Sequence, residues 1–244
     1  WDARDLTAFE VAKYSLLKHA SIKVEVVPLL EWELRAAGYY WRSFHTDGNG
    51  QRWDDRDGKP YSTSFSFTRF CVPPLALADD DCPDWVLFCD PDILFRADIA
   101  ELLDYRDRDM AIYCVQHNQE PPEREKGLGI QKRYYRKNWS SFMWLNVLHP
   151  SHTTLTRYRI NNEAGSWLHA LCWLNDDEIG ELPAAWNWLE GWSELDIEPK
   201  AVHFTRGTPD FIGYQNAHYA LEWRDILGER AANLPALTTL KMEI

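Results

Sequence analysis

Asp90-Pro91-Asp92 is where residue type and spacing in this chain most clearly suggest chemistry. Two carboxylates one residue apart repel each other unless a cation neutralises them. A pair of oxygen donors favours a hard divalent ion, magnesium or manganese. Spacing alone says little: 21 aspartates in 244 residues give about two Asp-x-Asp triplets by chance, and the chain has four, at 55/57, 79/81, 90/92 and 107/109. Context selects among them. Only the 90/92 pair directly follows a continuous apolar run, Trp85-Val86-Leu87-Phe88-Cys89, and Ile93, Leu94 and Phe95 come next. Open α/β sheets bind their ligands at the C-terminal ends of such strands. The plainer reading is a turn that caps a strand.

Other residues carry paired readings. The Arg69 guanidinium suits a diphosphate or the acidic pair itself, or makes an ordinary surface ion pair. His203 lies beside Phe204 in an apolar run, where a histidine is either a hydrogen-bonded core residue or a ligand. Asp176 and Asp177 could cap a helix. Residues 123–137 hold six bases, among them Lys126, Arg136 and Lys137, which are either solvated surface or contacts for phosphate or acceptor. Thirteen tryptophans are many for this length. They could face sugar rings, but core packing is the better account of most.

These groups need a scaffold. Leu6, Phe9, Ala12, Leu16 and Leu17 recur at helical spacing and predict an amphipathic helix over 5–18. Val24 to Pro28 reads as a strand. Residues 43–61, with three Asp-Gly or Asn-Gly signals, read as a long loop. Apolar runs at 85–89, 110–115 and 201–204 predict strands, and helical patterns lie near 97–104 and 163–174. Strands alternating with helices imply an α/β layered fold with a mostly parallel sheet flanked by helices, read as one domain over 1–244.

Composition narrows the function classes. Hydrophobic residues make up 45%, which excludes a disordered chain. Lys and Arg number 26 against 38 Asp and Glu, so a net charge of −12 disfavours nucleic acid as a partner. No apolar run approaches the roughly 18 residues of a membrane helix. Five cysteines without a CxxC spacing read as buried thiols in a reducing compartment, not as a zinc site. The expectation is a cytoplasmic protein, with peripheral attachment at a membrane left open.

Val86-Leu87-Phe88-Cys89-Asp90-Pro91-Asp92-Ile93-Leu94 resembles the DXD signature of nucleotide-sugar-dependent glycosyltransferases of the GT-A (Rossmann-like) fold. Further segments resemble family 8 and its close relatives, in the same order. Trp1-Asp2-Ala3-Arg4-Asp5 and the helix after it are similar to the first nucleotide-contacting turn, which would make Asp2 and Arg4 nucleotide contacts. Phe67-Thr68-Arg69-Phe70-Cys71-Val72-Pro73 resembles the arginine-containing helix. Lys137-Asn138-Trp139-Ser140-Ser141-Phe142-Met143-Trp144-Leu145-Asn146 resembles the segment lining the donor sugar and nominates Lys137 and Ser141. Ile179-Gly180-Glu181-Leu182-Pro183-Ala184-Ala185-Trp186-Asn187 resembles the later Leu-Pro-x-x-Trp-Asn element. Val202-His203-Phe204-Thr205-Arg206-Gly207-Thr208-Pro209 looks like the histidine motif that supplies a third metal ligand, with Gly207 at the nucleotide. Asp177 falls where the family places a carboxylate near the reacting sugar. Two departures stand out. The chain opens at the first turn, without the strand that usually precedes it, and Trp139-Ser140-Ser141 replaces the common Asn-x-Gly.

The resemblance implies a transferase moving a sugar from a nucleoside diphosphate, UDP in the first instance, to a glycan or other acceptor hydroxyl with retention of configuration. Mn2+ or Mg2+ on Asp90, Asp92 and His203 would bridge the diphosphate, with Arg69 and Asp177 as catalytic groups. Two other readings stay open. Haloacid-dehalogenase-type phosphohydrolases also place Asp-x-Asp after an apolar strand, with Thr or Val two residues beyond the second Asp, where this chain has Leu94. A non-catalytic carbohydrate-binding relative is the other.

Overall fold

The computed structural model describes residues 5–118, 124–126, 129–131 and 135–233. The N-terminal helix, Leu6–His19, forms where the periodicity predicts it, and buries Ala8, Val11, Ala12, Ser15 and Leu16. Leu6 and Leu17 stay exposed, so the buried stripe is narrower than the apolar pattern suggests. Lys18 and His19 close the helix, where cations suit its partial negative end. One face packs on the strand Ile93–Phe95, whose Phe95 N–H donates to Ser15 Oγ at 3.1 Å, and another on the late helix Ala220–Ala232.

Two small sheets make the scaffold. The four-stranded one runs Ile179–Glu181, Ile112–Cys114, Phe142–Asn146, Trp85–Cys89. Its first pair is parallel and the other two are antiparallel. The three-stranded one joins Trp188–Leu189 in parallel to Ala201–His203, which pairs antiparallel with Ile93–Phe95. The α/β class therefore stands, but these sheets are mixed and not mostly parallel. A strand apolar on both faces looks the same whichever way it runs, and direction is set by the connections. Phe142–Asn146, buried at all five positions, runs against both of its neighbours.

Two local expectations fail. Residues 24–28 form no strand; Val24 and Val26 pack against the core, but no neighbour supplies a ladder. Residues 43–61 are not a loop but an antiparallel ribbon of Phe44–Thr46, Arg52–Asp54 and Pro60–Tyr61. The Asp-Gly and Asn-Gly signals mark its two turns, where Gly50 and Gly58 take φ of +82° and +64°. The helical pattern near 97–104 becomes a 3-10 helix, Ile99–Asp104, and that at 163–174 a short helix, Gly165–His169, followed by turns.

The core falls into three apolar clusters: one centred on Phe70, Ile112 and Leu145, one on Phe95, Phe142 and Trp186, and one on Leu94, Trp188 and Trp223. All five cysteines are free thiols, but Cys172 is exposed and only Cys71 and Cys114 are fully buried. Among the described residues, no helix is long and apolar enough to cross a membrane.

Candidate metal centre

Asp90-Pro91-Asp92 is the passage from one sheet to the other. Trp85–Cys89 ends with Cys89 opposite Phe142, and the ladder continues one step as Asp90 N–H donates to Ser141 C=O at 2.9 Å. Proline, which has no N–H to offer a ladder, breaks the strand here. Ile93 then pairs with His203 in the second sheet, and Phe204 N–H donates to Asp92 C=O at 3.0 Å. Register alone thus brings residues 90, 92 and 203 together across more than a hundred positions of chain.

The three residues are nearly inaccessible, at 8%, 8% and 2% exposure. Each offers a ligand atom, and these atoms lie within 4.8 Å of one another. Among the described residues this is the one such grouping of His, Cys, Asp and Glu. Asp92 Oδ1 is 3.2 Å from His203 Nε2. Asp90 Oδ1 is 2.9 Å from Nη2 of Arg69, whose Nη1 donates to Ser140 C=O at 2.8 Å. Arg69 is itself buried, with Phe65 and Phe88 rings beside its guanidinium. It comes from the 3-10 helix Thr68–Cys71.

The donor set fits a divalent cation. Two carboxylates and an imidazole, buried and converging, are stable together only when positive charge sits among them. Mixed oxygen and nitrogen donors suit manganese at least as well as magnesium.

A cleft of roughly 170 Å³ opens beside the cluster. Arg69, Asp90, Lys137, Asn138, Ser141, His203 and Thr205 line it. So do Tyr61 at the ribbon end, Ser62, Thr63, Phe65 and Ser66 just after it, and Gly165, Ser166 and His169. Asp57 fastens the ribbon to the helix at Gly165, accepting its N–H at 3.0 Å. His169 stays neutral: burial, and then the charges of Arg69 and Arg42, hold its pKa well below the usual imidazole range. His117 is pushed down to about 3 by burial, with His203 adding to the effect.

The galactosyltransferase LgtC, solved in complex with donor and acceptor sugar analogues, superimposes with a TM-score of 0.51 at 15% identity, over 99% of this chain and 95% of LgtC. GlyE of Streptococcus pneumoniae gives 0.53 at 17% identity, over 98% of this chain and 64% of GlyE. The bifunctional glycosyltransferase WbbM gives 0.55 at 14% identity, and the chain spans about half of it, 49%. The fold is that of GT-A glycosyltransferases. No protein-family model matches the chain. In sequence, Protein CDI of Arabidopsis thaliana is 39% identical over 235 residues, 94% of this chain and 84% of that protein.

The chain belongs to the Protein CDI family.

In this CDI-family chain the sequence-nominated residues divide clearly. Arg69, Asp90, Lys137, Ser141 and His203 line the cleft, and Asp92 completes the acidic cluster. Asp177 is exposed on the 3-10 turn Asp176–Glu178 and does not line the cleft. Arg136 is engaged elsewhere, donating to Ala170 C=O at 2.9 Å and to Asp176 Oδ1 at 2.5 Å. Gly207 stands off the cleft as well; its φ of +148° and the Tyr214 ring, 2.8 Å from where a Cβ would lie, explain the glycine structurally. Lys126 belongs to a strand, Arg124–Lys126, paired with Gly129–Gln131. Asp2 and Arg4 lie outside the described residues. Thr205 and Asn187 fall within the histidine and Leu-Pro-x-x-Trp-Asn segments without a role of their own there, and sequence reading missed the ribbon residues and His169. Nothing in their spacing marks them, because they reach the site only through packing between distant segments.

Proposed function

We propose that this chain is a metal-dependent glycosyltransferase that moves a sugar from a nucleoside diphosphate, UDP in the first instance, to an acceptor hydroxyl with retention of configuration. The observation that carries the reading is the convergence of Asp90, Asp92 and His203 beside Arg69 on a cleft of a GT-A fold. Asp90, Asp92 and His203 would hold Mn2+ or Mg2+, which supplies Lewis acidity at a departing diphosphate. LgtC, solved with donor and acceptor sugar analogues, supports sugars as the ligand class. A phosphohydrolase of the haloacid-dehalogenase type finds no support in that fold.

The chain's own groups contribute in separate ways. Arg69 is locked by Ser140 and Asp90, so its charge stands preorganised where a leaving diphosphate gathers negative charge, and no reorganisation is needed as the bond breaks. Lys137, nearly buried and also lining the cleft, would add a second positive charge. Tyr61, Phe65 and Phe67 offer aromatic surface to a sugar ring, and Ser62, Thr63 and Ser66 offer hydroxyls to orient it. Asp177 would join the chemistry only through movement of its turn toward the cleft.

The test is turnover of a panel of nucleotide sugars with manganese, comparing wild type with Asp92→Asn. The substitution removes one charged ligand and is expected to lower turnover by at least a hundredfold, with unfolding midpoints unchanged or raised in the metal-free protein. An Asp92→Asn variant as active as wild type would falsify the metal role.

A further inference from the structure

Asn187 is fully buried, outside the ligand cluster, at the end of the 3-10 helix Ala184–Asn187. The next two residues pair in parallel with the strand of His203, Leu189 opposite His203, which holds Asn187 against the imidazole. Its amide is oriented by its neighbours. Asn187 Nδ2 donates to Asn138 C=O at 3.3 Å and to Ser141 Oγ at 3.0 Å. A backbone carbonyl can only accept, so the other end of the amide, Oδ1, must be the acceptor. It lies 2.9 Å from His203 Nδ1. Ser141 spends its own proton on Asn138 C=O at 2.6 Å, leaving only lone pairs toward Nδ1, 3.4 Å away. Every partner of Nδ1 is therefore an acceptor, so Nδ1 holds the ring proton whenever a cation takes Nε2.

The consequence falls on the opposite nitrogen. With that proton on Nδ1, His203 can give the Nε2 lone pair to a cation in the acidic cluster; without one, Nε2 faces the Asp92 Oδ1 acceptor at 3.2 Å. The other tautomer would place a proton where a metal must bind. We infer that Asn187 is a positioning residue that fixes the His203 tautomer and ring orientation, so that Nε2 is a ready ligand for the divalent cation. This rests on the metal reading above. Partners of this kind raise the basicity of a ligating imidazole and are typically worth roughly ten- to a hundredfold in metal affinity.

The experiment titrates Mn(II) into the metal-free full chain, with free Mn(II) read by electron paramagnetic resonance, for wild type, Asn187→Leu and Asn187→Asp. Leucine removes the acceptor and is expected to weaken binding by roughly ten- to a hundredfold. Aspartate keeps the acceptor and loses the donor to Ser141 and Asn138. It is expected to bind as tightly as wild type or tighter, whereas a merely structural role for the amide predicts that it fails as leucine does. Binding by Asn187→Leu equal to wild type, or an Asn187→Asp loss matching that of leucine, overturns the inference. A second reading needs no variant at position 187. In nitrogen-15 spectra of wild type saturated with Mg(II), a diamagnetic probe, the His203 signal (assigned by its loss in His203→Gln) is expected to show the proton on Nδ1. A proton on Nε2 overturns the inference. Wild type that binds no Mn(II), with or without UDP, removes the metal reading and this inference together, while binding that Asn187→Leu leaves unchanged removes only the inference.

Discussion

At the scale of single residues, histidines in this chain are set by what each ring nitrogen faces. His203 meets acceptors on one side and a carboxylate on the other. His152 shows the opposite arrangement: Nε2–H donates to Ala111 C=O at 3.2 Å, and Nδ1 accepts from the indole N–H of Trp173 at 3.4 Å. Burial, with the neighbouring His149 adding to it, lowers its pKa to about 4. An unfolded histidine takes its proton near 6.5. Between these values the unfolded state binds more protons. The contribution of His152 is therefore complete above about pH 6.5 and lost as pH falls toward 4, on the order of 3 kcal/mol at full extent. His152→Gln can keep both hydrogen bonds without titrating. Urea unfolding across that window should show a shallower decline for the variant than for wild type; equal slopes would refute the assignment.

At the scale of elements, the ribbon over residues 44–61 is what sequence reading most misjudged. It is fastened by a buried ion pair. Arg42 donates to both oxygens of Asp54, at 2.8 and 2.6 Å, and to Ile160 C=O at 3.0 Å, with its guanidinium over the Phe67 ring. Both residues are 1% exposed, and burial raises the Asp54 pKa despite the arginine. Removing one partner leaves an uncompensated buried charge, which costs about 3–5 kcal/mol, whereas removing both can be nearly neutral. Arg42→Met should therefore destabilise the chain by that amount in urea unfolding, and Arg42→Met with Asp54→Leu should recover most of it. A double variant no better than the single would show that the pair acts through something other than charge burial. Since Asp57 carries the same ribbon to Gly165 beside the cleft, Arg42→Met should also weaken donor binding more than its distance from Asp90 suggests.

At the scale of the molecule, the cleft is a junction of the ribbon, the four-stranded sheet and the strand of His203. A ligand that bridges them binds the folded chain only. At free ligand a hundredfold above its dissociation constant, the gain is about 2.7 kcal/mol, or about 5–10 °C in unfolding midpoint for a chain of this size. The proposed donor, with manganese, should give that shift, and the same nucleotide without metal should give much less. Equal shifts with and without metal would count against the bridging role. The net charge of −12 makes this selective: an anionic donor is repelled by the surface at large and meets positive charge locally, at Arg69 and Lys137.

Sequence by itself determined the acidic pair, the apolar strand before it and the α/β class, because these depend on neighbours in the chain: a run buried on both faces, and a proline that ends it. The order of short motifs also nominated Arg69 and His203. Only the tertiary structure decided strand directions, the ribbon in place of a loop, the exposed position of Asp177 and the partnership of Asn187 with His203. Each of these depends on which distant segment lies alongside. Hydrogen-bond ladders and ring tautomers are fixed by such partners, and no local pattern of residue types encodes them.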